Sequence, residues 1–198
     1  MPRAGLNEDR VVEAAVIIAD EVGVSNLTLA ALAEKLGVRQ PSLYKHVSGI
    51  AGLKRSISIR AKVELADVLA RAAVGRSGGD AILSMSRAYR TWALEHPGRY
   101  EAAQWAPTPG DVEDEVVSAT VVKICADVLI AYELEGVDAI DAIRAFRSML
   151  HGFVSLESSG AFGLPVDIDH SFERLVRGLV TAFATWSEET DVGAIRSR

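Results

Sequence analysis

The sequence predicts an all-α protein, a small helical head followed by a larger helical body, and three observations carry that expectation. Apolar residues recur at three- and four-residue spacing along most of the chain, without the alternation that marks strands. Glycines and prolines cut this pattern into helix-length pieces. Basic residues concentrate near the N-terminal end of a chain that is acidic as a whole.

Asn7 is placed to cap a first helix that carries Val11, Ala14, Ala15, Ile18 and Val22, and Gly23 is its stop. Thr28 caps a short second helix that ends at Gly37. Pro41 suits the first turn of a third, which runs to about Val47. Residues 48–52 read as a break, and a fourth helix from about Ile50 or Gly52 continues to about Ala73. Gly75, Gly78 and Gly79 mark a loop, and a fifth helix over about 80–95 stops before Pro97. With Pro97, Pro107, Pro109 and Gly110, residues 97–111 allow only a short helix and a loop. A long helix is expected over about 112–134, then two amphipathic helices over about 138–158 and 169–188, separated by a loop with Gly160, Gly163 and Pro165. The expected division is a head at 1–50, a connecting helix at 51–74 and a body at 75–198.

Composition removes several classes. Hydrophobic residues make up 49% and charged residues 24% of the 198, a folded rather than a disordered balance. No apolar run approaches the roughly 18 residues that span a bilayer, and the N-terminus lacks a signal-peptide segment, so a cytoplasmic protein with no membrane partner is expected. A single cysteine, Cys125, excludes a disulfide framework and a cysteine-based zinc site; in its helical run it reads as a buried, inert thiol. The four histidines have no metal-ligand spacing, and neither a nucleophile elbow nor a phosphate-cradling glycine loop is present. No enzyme activity, cofactor or metal is expected. Acids at 113–115 sit at a helix start, where the helix dipole favours them without any catalytic role.

Charge is unevenly placed. Residues 1–60 hold eight Lys/Arg against six Asp/Glu, whereas 61–198 hold thirteen against twenty-one. From Lys35 to Val63 there are seven bases (Lys35, Arg39, Lys45, Lys54, Arg55, Arg60, Lys62) and no acid. Phosphate binding requires a local positive face, not a positive protein, so this asymmetry outweighs the net charge of -6.

Ala33, Gly37 and Leu43 stand at relative positions 0, +4 and +10, and each has a steric role. A small residue at 33 lets two helices cross closely, Gly37 allows the left-handed backbone of an abrupt stop, and Leu43 packs into the angle between them. That spacing fits a helix-turn-helix, and many other helical hairpins satisfy it as well. It turns Arg39, Gln40, Ser42, Tyr44, Lys45 and His46 outward on a short helix suited to the major groove of double-stranded DNA. Gln40 and Ser42 suit base edges or nearby phosphates. Tyr44, Lys45 and His46 suit phosphate oxygens, and Thr28 offers its hydroxyl and adjacent amides.

The run from Thr28 through Leu-Ala-Ala-Leu-Ala-Glu-Lys-Leu-Gly-Val, continued by Gln40-Pro-Ser-Leu-Tyr-Lys-His-Val47, resembles the DNA-binding head of the tetracycline-repressor (TetR) family over about residues 6–60. Tyr89-Arg-Thr-Trp-Ala-Leu-Glu-His-Pro-Gly-Arg-Tyr100 and His151-Gly-Phe-Val-Ser-Leu-Glu157 are similar to the WHG-like subgroup of that family's C-terminal domains. The resemblance implies a homodimer paired through its last two helices, two heads in successive major grooves of a palindromic operator, and repression relieved by a small molecule inside the body. Family phosphate-contact positions fall on Thr28, Tyr44, Lys45 and His46. Where many members place a lysine at the start of the fourth helix, this chain has Ile50, and Lys54 or Arg55 one turn later is the replacement.

In the body, Tyr89, Trp92, Trp105, Phe146, Met149, His151 and Phe153 are candidates to line a pocket for a small apolar or amphipathic ligand, with ordinary core as the plainer role for each. Apolar stripes through Ile140, Ile143, Phe146, Leu150 and Phe153, and through Phe172 to Trp186, need partners within the monomer or across a two-fold axis. A helical module that binds protein would share these faces. It would not explain a basic, acid-free window coinciding with a helix-turn-helix.

Overall fold

A computed structural model describes residues 6–186. In chain order the α-helices are α1 (Glu8–Val22), α2 (Leu29–Leu36), α3 (Gly49–Ala73), α4 (Gly78–Glu95), α5 (Pro97–Ala103), α6 (Val112–Leu129), α7 (Gly136–Ser158) and α8 (Ile168–Thr185). Short 3-10 turns lie at Val24–Asn26, Gln40–Lys45 and Ile130–Tyr132, and the described residues contain no strand. Among them, no helix is long and apolar enough to cross a membrane.

The caps are where local chemistry puts them. The Asn7 side chain accepts from the Arg10 amide at 2.9 Å, and Thr28 Oγ1 from the Ala31 amide at 3.2 Å. Asp167, which the periodicity did not single out, caps α8 by accepting from the Asp169 and His170 amides at 2.8 and 3.3 Å. The third segment is a 3-10 turn instead of an α-helix. It has no capping side chain and is only six residues long, too short to gain from α-helical cooperativity. The break after it is narrower than the sequence implied, because Gly49 (φ +74°) makes the bend and α3 begins there. The expected long helix ends at Leu129. The chain tightens into the 3-10 turn and passes through Glu133 with φ +55°, and Leu134 is buried. The last helix ends at Thr185, and residues 187–188 of its expected span lie outside the described ones.

Residues 6–65 and 95–118 form one compact unit; residues 66–94 and 119–186 form the other. Thus α5 and the first turns of α6, expected in the body, pack with the N-terminal helices. The first unit's core is Val11, Ala15, Ala19, Val24, Leu32, Leu43, Leu53, Ile57 and Ala102, all fully buried. Gly98 sits so close to α1 that a Cβ there would lie 2.0 Å from the Ala19 carbonyl oxygen. The Arg99 guanidinium spans Asp20 of α1 (2.8 Å) and Glu64 of α3 (2.8 Å). In the second unit Ile82 and Met85 of α4, Val154 of α7, and Phe172, Val176 and Phe183 of α8 are buried.

Candidate nucleic-acid interface

The helix-turn-helix is anchored from within. Ala33 and Leu43 are buried, and Gly37 adopts φ +65°, ψ +33°. The amides of Gly37 and Val38 donate back to the carbonyls of Glu34 and Ala33, both at 3.0 Å, which closes α2 abruptly. The chain then turns at Arg39, and Leu43 returns to the core one turn into the 3-10 segment. With Leu43 pointing inward, Arg39, Gln40, Tyr44 and Lys45 stand exposed, Tyr44 at 57%, while Ser42 and His46 are half-buried. Thr28 is exposed; its oxygen accepts the helix amide, so the hydroxyl proton is left to donate outward.

The seven bases of the acid-free window do not act together. Lys35 pairs with Glu21 at 3.0 Å and Arg60 with Glu64 at 3.2 Å. Arg55 holds Asp111 through Nε and Nη2 (the latter at 2.6 Å) and Glu113 at 2.8 Å. Lys62 meets Asp114 at 2.5 Å, with side chains only 4% and 6% exposed, and Asp114 also accepts from the Thr108 amide at 3.1 Å. Lys54 Nζ donates to the Ser25 carbonyl at 3.4 Å. Among the described residues, Arg39, Lys45 and Lys54 of this window have no acid within ion-pair distance, and with Lys54 half-buried on the Ser25 carbonyl the exposed positive face narrows to Arg39 and Lys45 beside Tyr44 and His46. Acids that neutralise Arg55 and Lys62 come from the start of α6, more than fifty positions away, and no pattern within the window announces them. The hydrogen bonds from the Arg55 guanidinium hold the Asp111 carboxyl down at about 2.

The residues expected to line a ligand pocket are dispersed. Tyr89 and Trp92 on α4 and Phe146 and Phe153 on α7 are buried, Met149 is half-buried and His151 is exposed. Trp105, 36% exposed after α5, belongs to the first unit. Two clefts open on the second unit. One, of about 360 Å³, is lined by Phe153, Ala161, Phe162, Leu164, Val166 and Ile168 among others, and is mostly apolar. The other, of about 380 Å³, is lined by Arg87, Arg90, Thr91, Leu94, Asp169, Phe172 and Glu173. Phe153 lines the first; the other six expected residues line neither.

Sequence reasoning missed Arg90. Its guanidinium lies 5.7 and 5.0 Å from the ring centres of Phe153 and Phe172, and it meets Glu157 at 2.7 and 2.6 Å and Asp169 at 2.7 Å. It ties α4 to α7 and α8, and the bond to Glu157 raises its already high pKa.

Known proteins agree with this arrangement. A tetracyclin repressor-like C-terminal domain is matched over residues 82–179. An HTH-type transcriptional regulator of Bacillus subtilis is 39% identical over 178 residues, 89% of this chain and 92% of that protein. Another from Mycobacterium tuberculosis is 40% identical over 176 residues, 87% and 79% of the two chains. The fold is shared with a TetR variant of Acinetobacter baumannii solved with minocycline (TM-score 0.68, 23% identity, 90% of this chain and 97% of that one). It is also shared with apo ActR of Streptomyces coelicolor (TM-score 0.71, 20% identity, 94% and 99%). On the strength of its full-length relatives and its helix-turn-helix, the chain belongs to the tetracycline-repressor (TetR) family of transcriptional regulators.

Proposed function

We propose that this regulator, which is not an enzyme, binds a near-palindromic duplex operator as a homodimer in the cytoplasm, represses transcription there, and is released by a small apolar or amphipathic ligand in its helical body. The observation that carries the reading is the exposed face from Arg39 to His46. It is anchored by Leu43 and Gly37 and bears Arg39 and Lys45, two exposed bases that among the described residues have no acid partner. In this reading Gln40 and Ser42 address base edges, and Thr28, Tyr44, Lys45 and His46 address phosphates. Lys54 spends one of its three ammonium donors on the Ser25 carbonyl, which leaves the others for a phosphate.

Exposed apolar residues on the last two helices support pairing with a second copy: Ile140 and Leu156 on α7 and Leu175 on α8 are each between 42% and 49% exposed. Ligand binding is supported by the family and by the two clefts of the second unit. Nuclease footprinting of the DNA flanking the gene tests the proposal. Two protected half-sites related by two-fold symmetry, with centres about 34–36 Å or a multiple of that apart, are expected. A protected stretch without internal symmetry would contradict the dimer.

A further inference from the structure

Arg55 and the acids that hold it form a contact that DNA binding does not need and can oppose. The segment 110–115 carries four carboxylates, of which Asp111, Glu113 and Asp114 meet two bases of α3, Arg55 and Lys62, while Arg60 between them pairs with Glu64. Asp114 is satisfied by buried Lys62 and by the Thr108 amide, and Glu115 accepts from the Gly110 amide at 2.9 Å. Two carboxylates therefore share the single Arg55 guanidinium. The Glu113 side of this contact is open to water, with Arg55 41% and Glu113 63% exposed, whereas Asp111, which takes both Nε and Nη2 of Arg55, is only 16% exposed. A bidentate Arg–carboxylate pair holds its guanidinium more firmly than a lone surface ion pair does, so a DNA phosphate, which suits the same guanidinium, gains it only when the acids are drawn off.

Arg55 is also within reach of the DNA-facing end. It stands six residues, about 9 Å, along α3 from Gly49. Side chains on a helix lean toward its N-terminus, here the end that follows the recognition segment. We propose that Arg55 is a phosphate ligand withheld from DNA by Asp111 and Glu113, so that these acids lower the sequence-independent affinity of the head. The proposal rests on the DNA-binding reading above and adds the regulation of that surface. Any event that draws residues 107–115 away from α3 adds one phosphate contact per head, and any that tightens them removes it.

The test is binding of the full chain to a duplex from the DNA flanking its gene, and to an unrelated duplex of equal length, between 50 and 200 mM salt. The Asp111→Asn/Glu113→Gln double variant keeps side-chain shape and removes both charges. Each added phosphate contact steepens the dependence of log affinity on log salt by about 0.9, so a dimer gains nearly two. Its loss of affinity across that salt range is then about tenfold larger than for wild type, on both duplexes. Arg55→Ala alone leaves the wild-type slope unchanged, and adding it to the double variant restores that slope. A steepening that survives Arg55→Ala overturns the proposal, because the missing negative charge alone would then explain it; an unchanged slope in a folded double variant also overturns it. Should the double variant melt early, Glu113→Gln, at an exposed position, shifts the slope in the same direction, and no shift counts against the proposal. Wild-type protein that binds neither duplex defeats the DNA-binding reading itself, whereas wild-type binding with unmoved variant slopes defeats this proposal alone.

Discussion

At the scale of single residues, the account rests on two exposed bases and their neighbours. Replacing Lys45 with alanine is expected to weaken binding to every duplex alike and to flatten the salt slope by about 0.9 per head; salt-dependent titration measures both. Gln40→Ala is expected to act differently, lowering affinity for the preferred duplex far more than for unrelated ones, by about 1–3 kcal/mol if its contact is bidentate. Cys125 gives a pH prediction. Cys125 is half-buried on α6 rather than fully buried, and loss of hydration pushes its thiol up to about 11 from an ordinary value near 9, so the folded state disfavours the thiolate. Labelling by a disulfide reagent at pH 8 is therefore expected to be slow in the native protein and fast in denaturant. The same shift makes the fold lose stability as pH rises from about 9 to about 11. Much of the outward face was legible in the sequence, since a small residue, a glycine and a leucine at 33, 37 and 43 determine which side chains turn outward. The fate of Lys54, Arg55 and Lys62 was not, because their partners Ser25, Asp111, Glu113 and Asp114 come from other elements.

At the scale of elements, α5 and the start of α6 pack with the N-terminal helices, which sequence periodicity did not reveal. A seven-residue helix between prolines has too little amphipathic pattern to show which neighbour it packs on. Gly98 records the answer, because only a residue without a Cβ can lie against the Ala19 carbonyl. Gly98→Ala is expected to cost about 1–3 kcal/mol of stability, as overpacking does, since backbone rather than a flexible side chain must move; chemical denaturation reads it. The Lys62 and Asp114 pair makes a second prediction. Lys62→Ala strands a buried carboxylate and should cost about 3–5 kcal/mol, while Lys62→Met with Asp114→Leu should recover most of that loss. Equal losses in the two variants would show that the pair stabilises by more than cancelling its own burial. The 3-10 form of the recognition segment was also hidden, since Pro41 at a first turn permits either helix type.

At the scale of the whole molecule, the helix-turn-helix and the late helices with exposed apolar faces were readable as patterns, whereas which body aromatics are buried was not. Tyr89, Trp92 and Phe146 are core, which aromatic composition alone does not separate from cavity lining. The exposed faces of α7 and α8 lead to an assembly prediction. Leu175→Asp or Ile140→Asp is expected to convert a two-chain species into one chain in sedimentation velocity and to abolish tight operator binding together with it. The measurement that bears most directly on the central claim is fluorescence-anisotropy titration of the full chain against duplexes from the DNA flanking its gene, repeated at several salt concentrations. Tight binding to one near-palindromic duplex at two chains per site is expected, with a steep salt slope that flattens in Lys45→Ala. Binding that ignores sequence, or a slope that Lys45→Ala leaves unmoved, would contradict it.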